Sequence, residues 1–306
     1  MSVLSLLPVS AHAEEYPGHN MTYIVAAGVG GGSDILARTL TRVIEQKDLL
    51  PVSMVVENRP GGSGAIGYNY INSRQGDGHF LAGVGVSFFT TPLMGKMRYN
   101  YESFTPVAAL ARSPYILVVS TDSDIETLED LKTASGVRAG SVGAVADGAL
   151  LSYMLNQALD TEIRVVPYDG GGEVIAAVLG GHLELMWGNP NEMLEQVRAG
   201  NMRPLAVSAP DRIAQLPDVP TFAEQGYDIT HTQLRAIVMP GDVSDEAVSY
   251  WEDLLQTVAE SDEWREAYLD RFNEIPLYLD GADLAEEMAA TSDRYEAMMR
   301  EVGVID

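Results

Sequence analysis

The groups best placed to do chemistry in this chain belong to its backbone. Gly28-Val29-Gly30-Gly31-Gly32-Ser33-Asp34 sets four glycines in five positions between an apolar run at residues 23–27 and a helical pattern of Ile35, Leu36, Leu40, Val43 and Ile44. Glycine lets amides turn inward and lets a ligand approach with no Cβ in the way. A helix start carries unsatisfied N–H groups and a partial positive charge, so it favours an anion. The same device of strand, small-residue loop and helix recurs at residues 61–64, 141–148, 170–172 and 188–191. Several such loops at the carboxyl ends of parallel strands would line one crevice, where open α/β sheets bind ligands. The chemistry implied is capture of an anion by main-chain donors.

Side-chain chemistry finds less support. The first loop has a serine, Ser33, where a dinucleotide fingerprint has its third glycine. Glu57 lies 29 residues beyond Gly28, where about 20 is usual for the ribose-binding acid. A phosphate-binding loop needs Gly-Lys-Ser/Thr, and Lys47, Lys96 and Lys132, the only lysines, all lie elsewhere. Ser63 sits in Gly61-Gly62-Ser63-Gly64-Ala65, which is not a nucleophile elbow. The histidines, His12, His19, His79, His182 and His231, show no metal-ligand spacing, and there is no cysteine to act as nucleophile, disulfide or thiolate ligand. No catalytic constellation, cofactor or metal site is expected.

The elements that must position these loops read as alternating strands and helices, an α/β arrangement with largely parallel sheets. Strands are expected at residues 52–56, 80–86, 106–110, 115–120, 137–141, 164–167, 183–187, 204–208 and 234–239. Ser120-Thr121-Asp122-Ser123 is a polar break suited to a crossing between domains. Thr127 to Asp130 and Thr221 to Glu224 have the form of capping boxes that open short helices. From Asp245 onward the pattern is mostly helical, with Met288, Tyr295 and Met298 on the apolar side of the last helix.

The chain has 306 residues, 46% of them hydrophobic, enough for two domains. Its 44 acidic and 19 basic residues leave a net charge of −25. Such a surface repels nucleic acid, which requires basic patches, and it suits a high-salt solvent. The apolar segment at residues 3–9, followed by Ala11-His12-Ala13, reads as a signal segment, residues 1–13, although the basic residues that usually precede such a segment are missing.

The ordered stretches Ile24 to Arg38, Val56 to Gly67, Val166 to Gly172, Leu216 to Gly226 and the strand ending at Pro240 resemble the substrate-binding receptors of tripartite tricarboxylate transporters, the Bug receptors. The resemblance runs from about Tyr23 to the C-terminus. It implies a periplasmic, two-lobed binding-protein fold, each lobe a mostly parallel sheet flanked by helices. Residues 14–120 and 236–306 would form one lobe and 121–235 the other. It also implies a monomer without enzymatic activity that binds a small organic carboxylate and hands it to membrane transporter subunits. By the same resemblance the ligand would meet Gly31, Gly32, Ser33, Asp34, Gly62, Ser63, Ser87 and Phe88 from the first lobe. The second would supply Ser141, Gly143, Ala144, Tyr168 and Asn189. Asp34, negative beside an anion site, is expected to brace its loop, with Arg38 one turn on. Ala26-Ala27 replace the family's usual Pro-Phe, and Val145, Ala146 and Ala149 depart from its second-lobe loop, which leaves the ligand's identity open. A nucleotide-binding α/β enzyme and a receptor for a signalling partner are the other readings.

Overall fold

The computed structural model describes residues 16–95 and 97–306; the expected signal segment, residues 1–13, lies outside them. The chain opens with β1 (Met21–Val25), α1 (Gly32–Gln46), β2 (Met54–Asn58), α2 (Ala65–Asn72), β3 (Phe80–Val84) and α3 (Val86–Leu93). The long β4 (Phe104–Pro114) then leads into β5 (Ile116–Ser120). Next come α4 (Leu128–Leu131), β6 (Arg138–Val142), α5 (Asp147–Leu159), β7 (Arg164–Tyr168), α6 (Gly171–Leu179), β8 (Leu185–Gly188), α7 (Pro190–Arg198) and β9 (Met202–Val207). The chain returns through β10 (Thr232–Pro240) and closes with α8 (Asp245–Ala259), α9 (Asp262–Trp264), β11 (Ile275–Leu279) and α10 (Gly281–Glu301).

Two sheets result, one per lobe. The first has the order β11-β4-β10-β3-β1-β2 and the second β7-β6-β8-β5-β9. Each is covered on both faces, which is why the strands read as continuous apolar runs. Along β1, Met21, Tyr23 and Val25 face α1 and α8, where Leu40 and Trp251 are buried. Ile24 points the opposite way, toward Ile71 of α2 and Leu284 and Met288 of α10. Along β5, Leu117 and Val119 meet α5, while Ile116 and Val118 meet α6 and α7.

The sheets are mixed, where mostly parallel ones were expected. Strands β1, β2 and β3 are parallel, as are β6, β7 and β8. Strand β10 runs antiparallel to both β3 and β4, and β5 antiparallel to both β8 and β9. Topology requires this. Strand β4 leaves the first lobe and β10 re-enters it, so side by side they point in opposite senses; β5 and β9 do the same in the second.

The crossing between lobes also differs from expectation. Strand β5 belongs to the second sheet, so the chain changes lobe at Tyr115, and the polar break at residues 120–123 lies beyond that strand. On the return, pairing with the first sheet starts at Thr232, ahead of residue 236. Two further elements correct the sequence reading. Residues after Val84 form a helix, α3, and residues 275–279 form an edge strand, β11. Thr127 does cap α4: its hydroxyl accepts the Asp130 N–H, and its own N–H donates to the Asp130 carboxylate. Thr221 and Glu224 exchange the bonds of a capping box at 2.8 and 3.1 Å, yet the segment stays a series of turns.

Candidate ligand cleft between the lobes

Six helices, α1, α2 and α3 from the first lobe and α5, α6 and α7 from the second, start at the carboxyl end of a strand and border one cavity of about 90 Å³. Each first turn offers N–H groups that the helix itself cannot satisfy, at the positive end of its dipole. How five of the six begin separates them from the rest; in the sixth, α7, the Glu192 side chain reaches back to accept the Asn189 N–H. Helices α1, α2, α3, α5 and α6 follow Gly31, Gly64, Gly85, Ala146 and Gly170, and none has a side-chain cap. Away from the cavity, α4, α8, α9 and α10 are capped by Thr127, Ser244, Ser261 and Asp280. The uncapped ends are therefore concentrated where a ligand would sit.

At one edge of this cavity the lobes touch backbone to backbone. The Gly28 N–H donates to the Asp169 carbonyl at 3.0 Å. A Cβ added at Gly28 would stand 3.2 Å from Gly170 Cα, and one at Gly31 3.2 Å from Gly171 N. Glycine is needed on both sides because main chain meets main chain.

Of the residues expected at the ligand, Gly31, Gly32, Ser33, Ser63, Ser87, Gly143, Tyr168 and Asn189 line the cavity. Five others are placed elsewhere. Asp34 is buried and turned away from the cavity: its carboxylate accepts the Gly30 N–H at 3.0 Å, Arg38 Nε at 3.0 Å and Asn58 Nδ2 at 2.9 Å. Burial alone would raise its pKa, but these donors outweigh it and hold the carboxyl below its usual value. It braces the loop that presents Gly31 and Gly32. Phe88 lies inside the first lobe, 5.0 Å from Tyr68 and 4.9 Å from Phe104, because one residue of helical rotation past Ser87 points it at the core. Gly62 is exposed on the outer side of its loop, and Ala144 is half-buried off the cavity wall. Ser141 is buried behind Gly148, its hydroxyl without a partner.

The cavity also holds polar side chains that the loop pattern does not announce. Arg235 on β10 is 1% exposed and lines the floor. Its guanidinium donates to Asn189 Oδ1 at 2.7 Å, across the lobes, and to Ser113 Oγ at 3.1 Å. Two acids couple to it, Glu192 and Glu274. Burial pushes the Glu274 carboxyl up to about 7, with Arg235 pulling the other way. Burial likewise raises Glu192, against the Gly32 N–H, Arg235 and the Asn189 N–H. The only sequence signal for this cluster is a lone arginine inside an otherwise apolar strand.

A raised carboxyl makes the protein more stable at low pH. Glu274 keeps its proton in the folded state at pH values where the unfolded chain has lost it. That contribution is complete below the ordinary carboxyl range and fades as pH rises through about 7. The loss should be on the order of 3 kcal/mol. Urea unfolding of the native chain should therefore show a fall in stability between pH 5 and pH 8 that Glu274→Gln removes. Parallel pH profiles for the two proteins would contradict this.

On the opposite wall, Asp147 at the start of α5 is 1% exposed and fully engaged. It is bonded by the Tyr115 hydroxyl, by Tyr295 at 2.8 Å and by His231 Nε2 at 2.6 Å. Tyr295 comes from α10 of the first lobe, so this cluster ties the lobes together at the hinge. Burial, followed by the Asp147 charge, raises both phenols well above their usual range. Among the described residues no group of three or more His, Cys, Asp or Glu is arranged to hold a metal ion. Concentrated main-chain donors in a cleft between two lobes can bind an anion and shield it from water.

Comparison with known proteins agrees with this geometry. The model of the "Tripartite tricarboxylate transporter family receptor" family matches residues 36–304. Protein BugT of Bordetella pertussis is 32% identical over 234 residues, covering 72% of this chain and 69% of its own. A solved structure described as a periplasmic transporter superposes with a TM-score of 0.87 at 28% identity, over 93% of this chain and 97% of its own. The periplasmic binding protein BugD shares the fold, with a TM-score of 0.89 at 23% identity over 94% of this chain and 99% of its own.

Proposed function

We propose that this chain, which belongs to the tripartite tricarboxylate transporter receptor family, captures a small organic carboxylate between its lobes outside the cytoplasmic membrane and delivers it, chemically unchanged, to a membrane transporter. The observation that carries this reading is the set of uncapped helix starts from both lobes around one cavity. A carboxylate is among the small anions that main-chain donors at helix starts can hold, and the family match selects it from them. That the cavity is lined by one chain supports a receptor that works as a monomer. Among the described residues no helix is long and apolar enough to cross a membrane.

A thermal-shift screen of mono-, di- and tricarboxylates at high salt tests the proposal. A ligand that binds only the folded state, at a hundredfold excess over its Kd, stabilises it by about 2.7 kcal/mol. At least one carboxylate should raise the unfolding midpoint in proportion to the logarithm of its concentration. Stabilisation by nucleotide cofactors, with none by any carboxylate, would overturn the reading.

A further inference from the structure

One carboxylate already stands in the cleft, and it belongs to the protein. Glu192, on the first turn of α7, reaches across the lobes and accepts the Gly32 N–H at the start of α1. Its other oxygen accepts the Asn189 N–H at 3.2 Å. A Cβ added at Gly31 would lie 3.3 Å from Glu192 Oε1, and one at Gly171 only 2.6 Å from it. That oxygen therefore sits between the starts of α1 and α6, in the position a ligand anion would take at either. Glu192 lines the cavity while making these contacts, so the closed cleft and the internal carboxylate coexist.

The cation nearby does not offset this. Arg235 Nη2 would be 2.8 Å from a Cβ on Gly32, so the guanidinium lies directly beneath the same turn. Its charge already interacts with two acids, the half-buried Glu192 and the buried Glu274, as well as with any ligand. The helix starts still open to a ligand anion are those of α2 and α3, where Ser63 and Ser87 line the wall, and of α5 across from them.

We infer that Glu192 sets ligand polarity: the carboxylate lies toward the α2 and α3 starts, and the opposite end of the ligand carries a hydrogen-bond donor, a hydroxyl or an ammonium, that meets Glu192. A second carboxylate at that end would face Glu192 at close range in a water-poor cavity, where like charges repel most strongly. A methyl would exclude water from Glu192 and give it no donor beyond the Gly32 and Asn189 N–H groups. The favoured ligands are thus short hydroxy or amino acids, and simple dicarboxylates are disfavoured. This rests on the carboxylate-binding reading given above.

The test is calorimetric titration with straight-chain acids of three to six carbons whose far end is methyl, hydroxyl, ammonium or carboxylate. The native chain should bind a hydroxyl- or ammonium-ended acid at least tenfold tighter than the methyl- and carboxylate-ended acids of equal length. Glu192→Gln keeps the side-chain length and an oxygen to accept the Gly32 N–H, and removes the charge. It should improve the carboxylate-ended acid relative to the ammonium-ended one by at least tenfold. A native preference for dicarboxylates, or a ratio unchanged by Glu192→Gln, overturns the inference and leaves carboxylate binding standing. Failure of every acid to bind overturns the carboxylate reading and the inference with it. The native ranking decides the matter even if the variant does not fold.

Discussion

Gly170→Val should weaken ligand binding at least a hundredfold while leaving each lobe folded. The backbone at Gly170 is extended, with φ −160° and ψ 155°, a conformation valine adopts without strain. The difficulty is across the cleft. A Cβ at residue 170 would fall 2.9 Å from Gly28 Cα and 3.2 Å from Gly28 N, both backbone atoms that cannot step aside. Separation of the lobes relieves the clash, and separation also breaks the bond from the Gly28 N–H to the Asp169 carbonyl. An open cleft gives the ligand helix starts from one lobe only and admits water to the rest. A hundredfold loss corresponds to about 2.7 kcal/mol, equivalent to two or three net hydrogen bonds. Calorimetric titration measures the loss, and small-angle scattering should show a wider particle in the presence of ligand. Native affinity in a compact variant would mean that closure at this contact is not required.

Arg235→Met should cost about 3–5 kcal/mol of folding stability, the scale for leaving a buried charge uncompensated. Methionine replaces most of the volume. It cannot replace the bonds to Asn189 and Ser113, nor the charge beside Glu192 and Glu274. Each acid must then take up a proton or remain a buried, uncompensated anion. The penalty should grow with pH, since Glu274 titrates near 7 even with Arg235 present. The double variant Arg235→Met, Glu274→Gln should recover part of the loss, because one of the stranded charges is gone. Urea unfolding at pH 8 measures all three proteins. A single-variant loss under about 1 kcal/mol would show that the arginine is not what holds these acids in the interior.

The glycine loops made much of the fold legible, for a local reason. A strand that hands over to a helix through small residues is written in contiguous sequence, and residues 28–34 or 170–172 need nothing distant to be read. What the sequence concealed depends on contacts far along the chain. Helix α3 has the sequence Val-Ser-Phe-Phe-Thr-Thr-Pro-Leu, whose β-branched and aromatic residues favour a strand; burial of Phe88 and Phe89 against Phe104 and Tyr295 overrides that preference. Strand β11 contains Pro276, which only an edge strand tolerates, and its edge position follows from pairing with β4.

The site divides in the same way. Ser33 and Ser63 fall within the small-residue motifs, whereas Ser87, on the first turn of α3, was expected from the resemblance alone. Arg235, Gln233 and Tyr115 reach the cavity from strand ends and a crossover, and only the topology brings them there. Asp34 shows the converse. It lies inside the most conspicuous loop, yet three donors hold its carboxylate and turn it into a brace.

The most direct measurement is a crystal structure of the chain with the tightest-binding acid from the calorimetric series. The ligand should lie intact in the cavity between the two sheets, with its carboxylate oxygens within hydrogen-bonding distance of first-turn N–H groups from both lobes. A ligand seated away from those turns, held chiefly by side-chain charges, or recovered as a different compound would contradict the account.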